Sequence, residues 1–208
     1  MKKIYDIEEK KKIEKECFEL GMNLVAGIDE VGRGPLAGPV VCACVIMPKE
    51  SQIIGVDDSK KLSKKKREEL CEKILSEAID YKIEYVFEDV IDQINILNAT
   101  KLCMANAIKK LKIKPDIVLV DAVKDLDVSV PTKAFMHGDS LSYTIACASI
   151  LAKVSRDNFM QEMAQKYPGY GFEKNMGYGT REHMVALRDI GPCQIHRKTF
   201  IKFLEENK

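Results

Sequence analysis

The sequence predicts an α/β domain in which helices flank a central mixed β-sheet, with a C-terminal helical segment after the sheet. Three observations support this class: short apolar runs precede and then alternate with helical patterns, a glycine- and proline-rich turn separates two of them, and the composition is ordinary. Hydrophobic residues make up 46% and charged residues 31% of the 208 residues, which excludes a disordered or fibrous chain. We expect one domain over residues 1–208, with a loop and helical extension from about residue 166.

The first part of the chain predicts a surface helix followed by a β-hairpin. From Asp6 to about Leu20, charged residues alternate around one apolar stripe, and Asp6 is the expected N-cap. Residues 24–28 are typical of a buried strand. The turn from Gly32 to Pro39 follows, so we expect Val40–Met47 to return as the antiparallel partner.

The rest of the chain predicts helices that alternate with three further strands. The helix after the third strand carries apolar residues at Leu97, Leu102, Ala105 and Ile108. The expected elements are a helix from Ser63 to about Ala78, a strand from Tyr81 to Phe87, a helix from Ile94 to Leu111, a buried central strand from Asp116 to Val120, a strand from Thr132 to Phe135, a helix from Ser142 to about Gln165, a helix capped by Thr180 that ends near Gly191, and a terminal helix with Phe200 and Leu204.

Carboxylates adjoin apolar segments at three places in this pattern. Asp29 and Glu30 follow the first strand, Asp121 follows the central strand, and Asp139 comes shortly before the long helix. Strand ends converge at one edge of a sheet, and clustered carboxylates repel one another unless cations hold them together. Their oxygen ligands suit Mg²⁺ or Mn²⁺ and not zinc. Each acid alone is equally well explained as a helix cap or a strand stop; as a set they predict a divalent-metal phosphodiesterase site.

Two glycine loops are candidates for contacting a phosphate-containing substrate. The loop Gly32-Arg33-Gly34 does not fit a dinucleotide fingerprint, but its glycines let backbone amides approach a ligand while Arg33 reaches a phosphate. The loop Gly177-Tyr178-Gly179 presents an aromatic ring suited to stacking on a sugar or base. Either loop alone is more often a plain tight turn.

The net charge is only +1, so any interaction with nucleic acid depends on where the charges lie. From Lys60 to Arg67 six cations occur without an anion, which suits phosphate binding but is also typical of a solvated helix face.

We expect His183 and His196 at the surface or behind the groups that bind ligands, with His196 and Arg197 near nucleic acid. We expect a structural role for His137. No Ser-His-Asp or Cys-His arrangement indicates a protein nucleophile.

The seven cysteines are scattered and include no Cys-x-x-Cys pair, so we expect reduced and mostly buried thiols. Cys42 and Cys44 share one face of a predicted strand, where packing is favoured over metal binding.

No apolar run approaches the roughly 18 residues of a membrane span, and the first residues do not form a signal-peptide core. We therefore expect a cytoplasmic protein without a membrane partner.

A series of short motifs continues in a fixed order along nearly the whole chain from Ala26 onward. The motifs are Gly27–Val41, which contains the Asp29-Glu30 pair and the first glycine loop, then Asp58–Leu62, Val120–Asp121, Gly138–Asp139, Ala148–Asp157, Tyr167–Phe172, Gly177–Thr180 and Ile195–Phe200. Together they resemble the motifs of the ribonuclease HII family.

The resemblance implies a ribonuclease H-like fold and an endoribonuclease that cleaves RNA in RNA/DNA hybrids and incises 5′ to single ribonucleotides in duplex DNA. Such an enzyme would act in ribonucleotide removal during DNA replication and repair. The implied site holds two Mn²⁺ or Mg²⁺ ions on Asp29, Glu30, Asp121 and Asp139, and cleavage leaves 5′-phosphate and 3′-hydroxyl ends. We assign Asp29 and Asp121 to the more central ion, with Glu30 and Asp139 completing the shells.

The resemblance also implies a set of substrate contacts, with the extension from about residue 166 helping to bind the nucleic acid. Tyr178 would pack on the deoxyribose beside the RNA–DNA junction, while the first glycine loop reads the 2′-hydroxyl. The implied contact residues are Gly32, Arg33, Gly34, Ser59, Lys60 and Tyr178. Lys64 to Arg67 are left open between substrate contact and a solvated face.

Two features qualify the resemblance. Many members carry a lysine where this chain has Leu141, so a phosphate contact is not expected from that position. The related ribonuclease HIII group has a glutamate as fourth acid and an extra N-terminal domain. Here the fourth acid is Asp139 and about 25 residues precede the first motif, which favours ribonuclease HII.

Other readings stay open from sequence. One is a related metal nuclease acting on DNA junctions or single strands, and another is a nucleic-acid-binding domain with an inactive acidic site.

We expect the protein to be a monomer. The apolar segment Phe200–Leu204 either docks on a partner such as a replication clamp or, as we favour, packs on its own domain.

Overall fold

Residues 7–204 are described in a computed structural model of the chain. A five-stranded mixed sheet lies at its centre in the order β3-β2-β1-β4-β5. β1 and β2 pair antiparallel, as do β2 and β3, whereas β1 pairs parallel with β4 and β4 pairs parallel with β5. The strands are β1 (Val25–Val31), β2 (Val40–Ile46), β3 (Asp80–Val86), β4 (Ile117–Asp121) and β5 (Thr132–Phe135).

Helices cover both faces of this sheet. α6 packs on β1 and β2 from one side, where α3 lies against it, and α4 packs on β2 and β3 from the other side. The α-helices are α1 (Ile7–Lys10), α2 (Lys12–Glu19), α3 (Lys64–Glu77), α4 (Glu88–Lys109), α5 (Gly138–Leu141), α6 (Tyr143–Lys166), α7 (Phe172–Asn175) and α8 (Arg181–Ile190). Short 3₁₀ turns span Ser59–Lys61, Lys198–Phe200 and Lys202–Leu204.

The predicted mixed sheet and most predicted elements are confirmed. Ser63 and Thr180 cap α3 and α8, because their side chains accept the amide hydrogens of residues three positions on. β1 continues through Asp29 and Glu30 instead of ending before them, and β4 is an interior, buried strand, as predicted, next to β1 in the middle of the sheet. The predicted N-cap at Asp6 lies outside the described residues.

Helix α4 begins at Glu88, earlier than predicted, and a sharp bend at Asn95 divides it into two parts. Asn95 has a positive φ of 64°, and its side chain accepts the amide hydrogen of Asn98, which caps the second part of the helix. The predicted start at Ile94 therefore corresponds to this second part. Leu97 and Leu102 are exposed, whereas Ala105 and Ile108 are buried as predicted, and Ala99, Cys103 and Met104 complete the buried stripe.

The C-terminal segment forms two 3₁₀ turns where a helix was predicted. Ile201 is buried, and Phe203 and Leu204 pack partly buried against the same cluster, which also contains Phe172 and Leu187. Packing on its own domain, the favoured alternative, is therefore observed for this segment.

Seven cysteines occur in the described part of the chain, and all are free thiols. Six are buried and Cys193 is half-buried, as expected from the sequence. Cys42 and Cys44 lie in the core beneath α4. Between residues 7 and 204, no helix has the length and apolarity needed to cross a membrane.

Gly27 lets helix α6 approach the middle strand. A Cβ atom at this position would lie 2.2 Å from the backbone carbon of Thr144, and backbone cannot move aside as a side chain can. We expect Gly27→Ala to lower the free energy of unfolding by about 3 kcal/mol through overpacking. Urea denaturation measures this. The exposed substitution Ser76→Ala in α3 is the control, and equal stability of the two variants would contradict the close packing inferred here.

Candidate active site

Two acids reach one end of the sheet on neighbouring parallel strands. The pairing of β1 with β4 sets Ile28 beside Val120, so the next residues, Asp29 and Asp121, stand at equivalent positions. Ile28 and Val120 face α4, so alternation along each strand turns both carboxylates toward α6. The parallel register alone therefore brings these two acids together.

A third acid joins them from the short helix that precedes α6. His137 adopts a left-handed conformation with φ of 58°, and the Gly138 amide donates a 2.6 Å hydrogen bond to Oδ1 of Asp121. This turn carries Asp139 over the strand ends. One carboxylate oxygen from each of Asp29, Asp121 and Asp139 lies within 4.8 Å of the others, which is a spacing that a metal ion can bridge.

Glu30 lies beside this group but is not part of it, because the next residue of a strand faces the opposite side of the sheet. Its Oε1 lies 3.4 Å from the Arg33 guanidinium. Its Oε2 is buried and, among the described residues, has no hydrogen-bond partner. A buried carboxylate oxygen without a partner costs free energy, so this atom is suited to a cation.

Burial and the mutual repulsion of the carboxylates raise the free energy of the acidic cluster when its carboxyl groups are ionised. Burial raises the pKa of Asp29 well above its usual range, and the charges of Glu30 and Asp121 add to the effect. Burial likewise raises the pKa of Glu30, against the opposing charge of Arg33. For Asp139, burial and then the charges of neighbouring acids raise the pKa. Divalent cations would remove this penalty, so the donor set fits them.

Two buried serines link the motif at Asp58–Leu62 to the acids. The Ser149 hydroxyl on α6 opposes the rise in the pKa of Asp29, and it lies 3.0 Å from the Ser59 hydroxyl. Ser59 is buried, so this structure gives it a supporting contact beneath the site. Its predicted contact with substrate stays a prediction. Ser149 was not singled out from sequence, since a serine in an apolar helix gives no signal of its partner.

Lysines surround the Asp139 turn on two sides. Lys60 is largely exposed, and its Nζ lies 3.8 Å from Asp139. On the inner side, the buried Lys10 of α1 forms a 2.7 Å ion pair with Asp57, and its Nζ lies 3.4 Å from the carbonyl oxygens of Asp139 and Ser140. Lys60 is thus available to a ligand at the site, while Lys10 supports the turn from below.

Leu141 ends the short helix α5 at the surface beside this turn. Its side chain is about half-exposed, so an apolar group occupies the position where a basic residue is common in the resembled family. The Lys61 ammonium donates to the hydroxyl of neighbouring Ser140, which keeps a cation at this edge of the site.

Two buried arginines hold the first glycine loop. Arg197 donates to the carbonyl oxygens of Gly32, Arg33 and Gly38 at 2.6–2.9 Å. Arg156 binds three more carbonyls, and one of them belongs to the residue directly before the second loop; the acceptors are Ala37, Pro39 and Met176. Neither guanidinium is exposed, and burial lowers the pKa of each, to about 10 for Arg156 and about 9 for Arg197.

The glycines of the first loop serve different purposes. Gly32 is buried with φ of +91°, and a Cβ atom there would lie 2.3 Å from Nε of Arg156. It shapes the loop around that side chain. Arg33 and Gly34 are exposed, and the ring of Tyr178 lies 3.6 Å from where a Cβ of Gly34 would be. These exposed residues are the ones available to a substrate.

The second loop packs directly on the first. The Gly177 carbonyl accepts hydrogen bonds from the amides of Leu36 and Ala37, and a Cβ atom at Gly177 would lie 2.4 Å from the Ala37 carbonyl. Only glycine permits this approach. Tyr178 follows and is 44% exposed. The sequence-predicted loops are therefore neighbours, with Tyr178 and Gly34 at their shared surface.

His183 and His196 do not lie at the surface, which was one of their two expected placements, since both rings are buried and hydrogen-bonded to each other. A place behind the ligand-binding groups stays a prediction. Aromatic rings of Tyr170 and Phe172 pack around the two histidines, which a polar residue type does not indicate in sequence. Arg197 was expected near nucleic acid, yet its guanidinium is buried against backbone carbonyls.

We expect Arg197→Met to destabilise the fold, because methionine fills the space but leaves two buried carbonyls and one partly buried carbonyl without their donors. The expected loss is about 3 kcal/mol in the free energy of unfolding. Urea denaturation measures it against Arg188→Met, a change of the same type at an exposed position of α8. Equal midpoints for the two variants would show that the carbonyls do not depend on Arg197.

Comparisons with known proteins agree with this geometry. The family model for Ribonuclease HII matches residues 26–203. The chain is 54% identical over 190 residues to Ribonuclease HII of Caldicellulosiruptor saccharolyticus, covering 91% of this chain and 93% of the relative. It is also similar to the crystal structure of ribonuclease H2 from Pyrococcus horikoshii OT3, with a TM-score of 0.77, 28% identity, and coverage of 88% of this chain and 98% of that one.

A second solved structure, the PCNA:RNase HII complex from Archaeoglobus fulgidus, is similar over 84% of this chain and 93% of that one. The TM-score is 0.72 and the identity 29%. The predicted ribonuclease H-like fold is thereby confirmed. With its family model covering most of the sequence, the chain belongs to the ribonuclease HII family of metal-dependent, hydrolytic endoribonucleases that act on RNA/DNA hybrids.

Proposed function

We propose that this chain cleaves RNA in RNA/DNA hybrids and also incises duplex DNA on the 5′ side of a single embedded ribonucleotide. The observation that carries the proposal is the placement of two different features side by side. Three carboxylates converge at the strand ends, and the exposed pair Gly34 and Tyr178 lies on the loop that follows β1 and on the loop that packs against it. One part suits phosphodiester hydrolysis and the other suits recognition of a sugar.

We propose that two divalent ions, Mg²⁺ or Mn²⁺, are held by Asp29, Glu30, Asp121 and Asp139. When bound, such ions activate water and stabilise charge on the phosphate and leaving oxygen. The raised pKa values of Asp29, Glu30 and Asp139 and the partnerless Oε2 of Glu30 support a cation-dependent site. No protein nucleophile is then needed, and the products would carry 5′-phosphate and 3′-hydroxyl ends.

The protein side chains orient the nucleic acid around this site. The exposed ammonium of Lys60, near Asp139, is suited to a backbone phosphate. Arg33 and the open backbone at Gly34 are suited to the ribose and its 2′-hydroxyl, because a glycine leaves room for close approach. The ring of Tyr178 is suited to packing on the neighbouring deoxyribose. The segment from about residue 166 would thereby help to bind substrate.

The replication-clamp contact stays a prediction for this chain. The Archaeoglobus relative was solved in a complex with PCNA, which motivates the idea. In this chain, however, Ile201 is buried and Phe203 and Leu204 are packed on their own domain, so docking through them requires that packing to open. The nucleic-acid substrates are the partners that the site geometry supports.

We expect Asp29→Asn to reduce cleavage by roughly a thousandfold or more, since the loss of one shared anionic ligand removes several kcal/mol of metal-dependent stabilisation. The fold should persist, because Asn is isosteric and relieves repulsion in the cluster. The assay uses duplex DNA with one ribonucleotide, with and without Mg²⁺ or Mn²⁺. Asp89→Asn, an exposed acid on α4, is the matched control. A folded, active Asp29→Asn variant would overturn the assignment.

The same assay separates this proposal from its alternatives when an all-DNA duplex is included. Cleavage confined to the 5′ side of the ribonucleotide supports the proposed activity. Cleavage of the all-DNA duplex instead indicates a nuclease that does not sense the 2′-hydroxyl. Binding without cleavage under every metal condition indicates a nucleic-acid-binding protein with an inactive acidic site.

We expect Tyr178→Ala to lower kcat/KM at a single embedded ribonucleotide by roughly tenfold to a hundredfold, since stacking on a nucleic acid contributes about 1–3 kcal/mol. Tyr178→Phe keeps the ring and should retain most of the activity. Tyr81→Ala removes another exposed tyrosine, on β3, and serves as the control. Equal rates for Tyr178→Ala and the unaltered protein would argue against the stacking role.

A further inference from the structure

A chain of hydrogen bonds through two buried imidazoles ends on the backbone of Tyr178. Nδ1 of His183 lies 2.9 Å from the Tyr178 carbonyl oxygen, and Nε2 of His183 lies 2.9 Å from Nε2 of His196. At the other end, Nδ1 of His196 lies 2.9 Å from the amide nitrogen of Cys193 and 3.2 Å from the Cys193 carbonyl oxygen, which already accepts the backbone amide hydrogen of His196. The histidines are 0% and 3% exposed, so water does not substitute for these contacts. We refer to this set as the histidine relay.

The two ends of the histidine relay determine where its protons lie. A carbonyl oxygen only accepts, so His183 carries its proton on Nδ1 and presents a lone pair at Nε2. The Cys193 amide only donates, and it lies nearer to Nδ1 of His196 than the Cys193 carbonyl does, so we assign His196 a lone pair at Nδ1 and its proton at Nε2. The central contact is therefore donation from His196 to His183. One arrangement of two neutral rings satisfies all four nitrogens, and a proton added to either ring would set two donors against each other.

The surroundings keep both rings neutral. Burial lowers the pKa of His183, and it lowers that of His196 to about 4, with the neighbouring His183 adding to the effect. Phe172 packs edge-on to His183 with ring centroids 5.3 Å apart. Tyr170, whose hydroxyl donates to the Gly191 carbonyl, packs against both imidazoles.

Few titratable groups face the relay from other elements. The Cys193 thiol lies 3.2 Å from Nδ1 of His196. His196 also borders a surface cleft whose charged lining residues are Glu88, Asp89, Asp92 and Lys198. The acids of this cleft favour protonation and Lys198 opposes it, but burial has the larger effect on the pKa of His196.

The far end of the relay is attached to the first glycine loop. His196 pairs in a β-bridge with Ala37, the Gly38 amide donates to the carbonyl of Ile195, and the Arg197 amide donates to the carbonyl of Leu36. The relay thus joins the backbone of one loop to the backbone of the other. Tyr178 is the exposed residue at its end.

We propose that His183 and His196 are positioning residues that fix the Tyr178 ring relative to Gly34 and so tune recognition of the ribonucleotide–deoxyribonucleotide junction. The inference rests on the proposed stacking role of Tyr178. A positional shift at this carbonyl changes where the ring meets the sugar, whereas the acids at the strand ends are unaffected. The histidine relay therefore affects cleavage at a single embedded ribonucleotide more than cleavage of a continuous hybrid. A continuous hybrid presents a ribose at many positions along the strand.

Two substitutions at one position separate positioning from packing. His183→Asn keeps an N–H donor close to the place of Nδ1, while His183→Leu fills similar space without a donor. We expect His183→Leu to lower kcat/KM at a single ribonucleotide about tenfold and His183→Asn by less than about threefold. Both should retain most activity on a continuous hybrid. An Asn variant as impaired as the Leu variant, or more so, would overturn the inference, because packing alone favours leucine.

A double-mutant cycle connects the relay to Tyr178. In a Tyr178→Ala background, His183→Leu should have less than about a twofold effect on the single-ribonucleotide substrate, since the ring it positions is gone. A full tenfold effect in that background would overturn the inference. If Tyr178→Ala alone has no effect, that result contradicts the proposed stacking role of Tyr178. The comparison of His183→Leu with His183→Asn is a separate measurement and tests the positioning role of His183.

Imidazole ¹⁵N resonances of the unaltered protein test the relay independently of activity and of any variant's folding. We expect His183 in the Nδ1–H form and His196 in the Nε2–H form, with His196 neutral down to about pH 4. The exposed His137 supplies a third imidazole signal for reference. The opposite tautomers, or protonation of His196 near pH 6, would overturn the proposed order of hydrogen bonds.

Discussion

The substrate side of this site depends on hydrogen bonds from two buried guanidinium groups to backbone carbonyls. A loop that turns through Gly32 and Gly38 pairs with no strand, so its carbonyls need donors from elsewhere. Arg197 and Arg156 bind three carbonyls each, and Arg156 also reaches the residue directly before the second loop. A guanidinium has five N–H groups in a rigid plane, so one side chain can hold several segments in fixed relation, which a lysine cannot. Arg33 and Gly34 are thereby held on a fixed backbone while remaining exposed.

The acidic side is held by a different constraint, namely the parallel register of β1 and β4. That register places Asp29 and Asp121 side by side whether or not a cation is bound, and the cost appears as the raised pKa of Asp29. Neighbouring polar groups offset part of this cost: the Ser149 hydroxyl opposes the rise in the pKa of Asp29, and the Gly138 amide donates a hydrogen bond to Asp121. The fold thus maintains a cluster of like charges that is unfavourable by itself, as expected where strain or repulsion serves binding.

The sequence predicted what depends on local pattern. Strand ends carrying acids, the caps at Ser63 and Thr180 and the aromatic between two glycines were all visible, because each rests on residue type and spacing. The hydrogen-bond partners of the buried side chains could not be predicted in this way. An arginine or histidine in the sequence is more often exposed, and only the fold shows that Arg197 and His183 meet carbonyls in the interior. Leu97 misled for the converse reason, since it is exposed while Ala99, Cys103 and Ala107 form the buried stripe of α4.

The third acid shows how far the site extends beyond its motifs. The positions of Asp29 and Asp121 follow from strand pairing, but Asp139 lies on a turn, and a turn needs support from outside. That support comes from residues before the family match at residue 26. Lys10 lies against the Asp139 carbonyl, while Oε1 of Glu14 accepts hydrogen bonds from the Ser142 hydroxyl and the Thr144 amide at the start of α6. Both side chains are buried, so their charges are desolvated and each depends on these contacts. The N-terminal helices therefore belong to the frame of the acidic site, because they fix the one acid that the sheet does not.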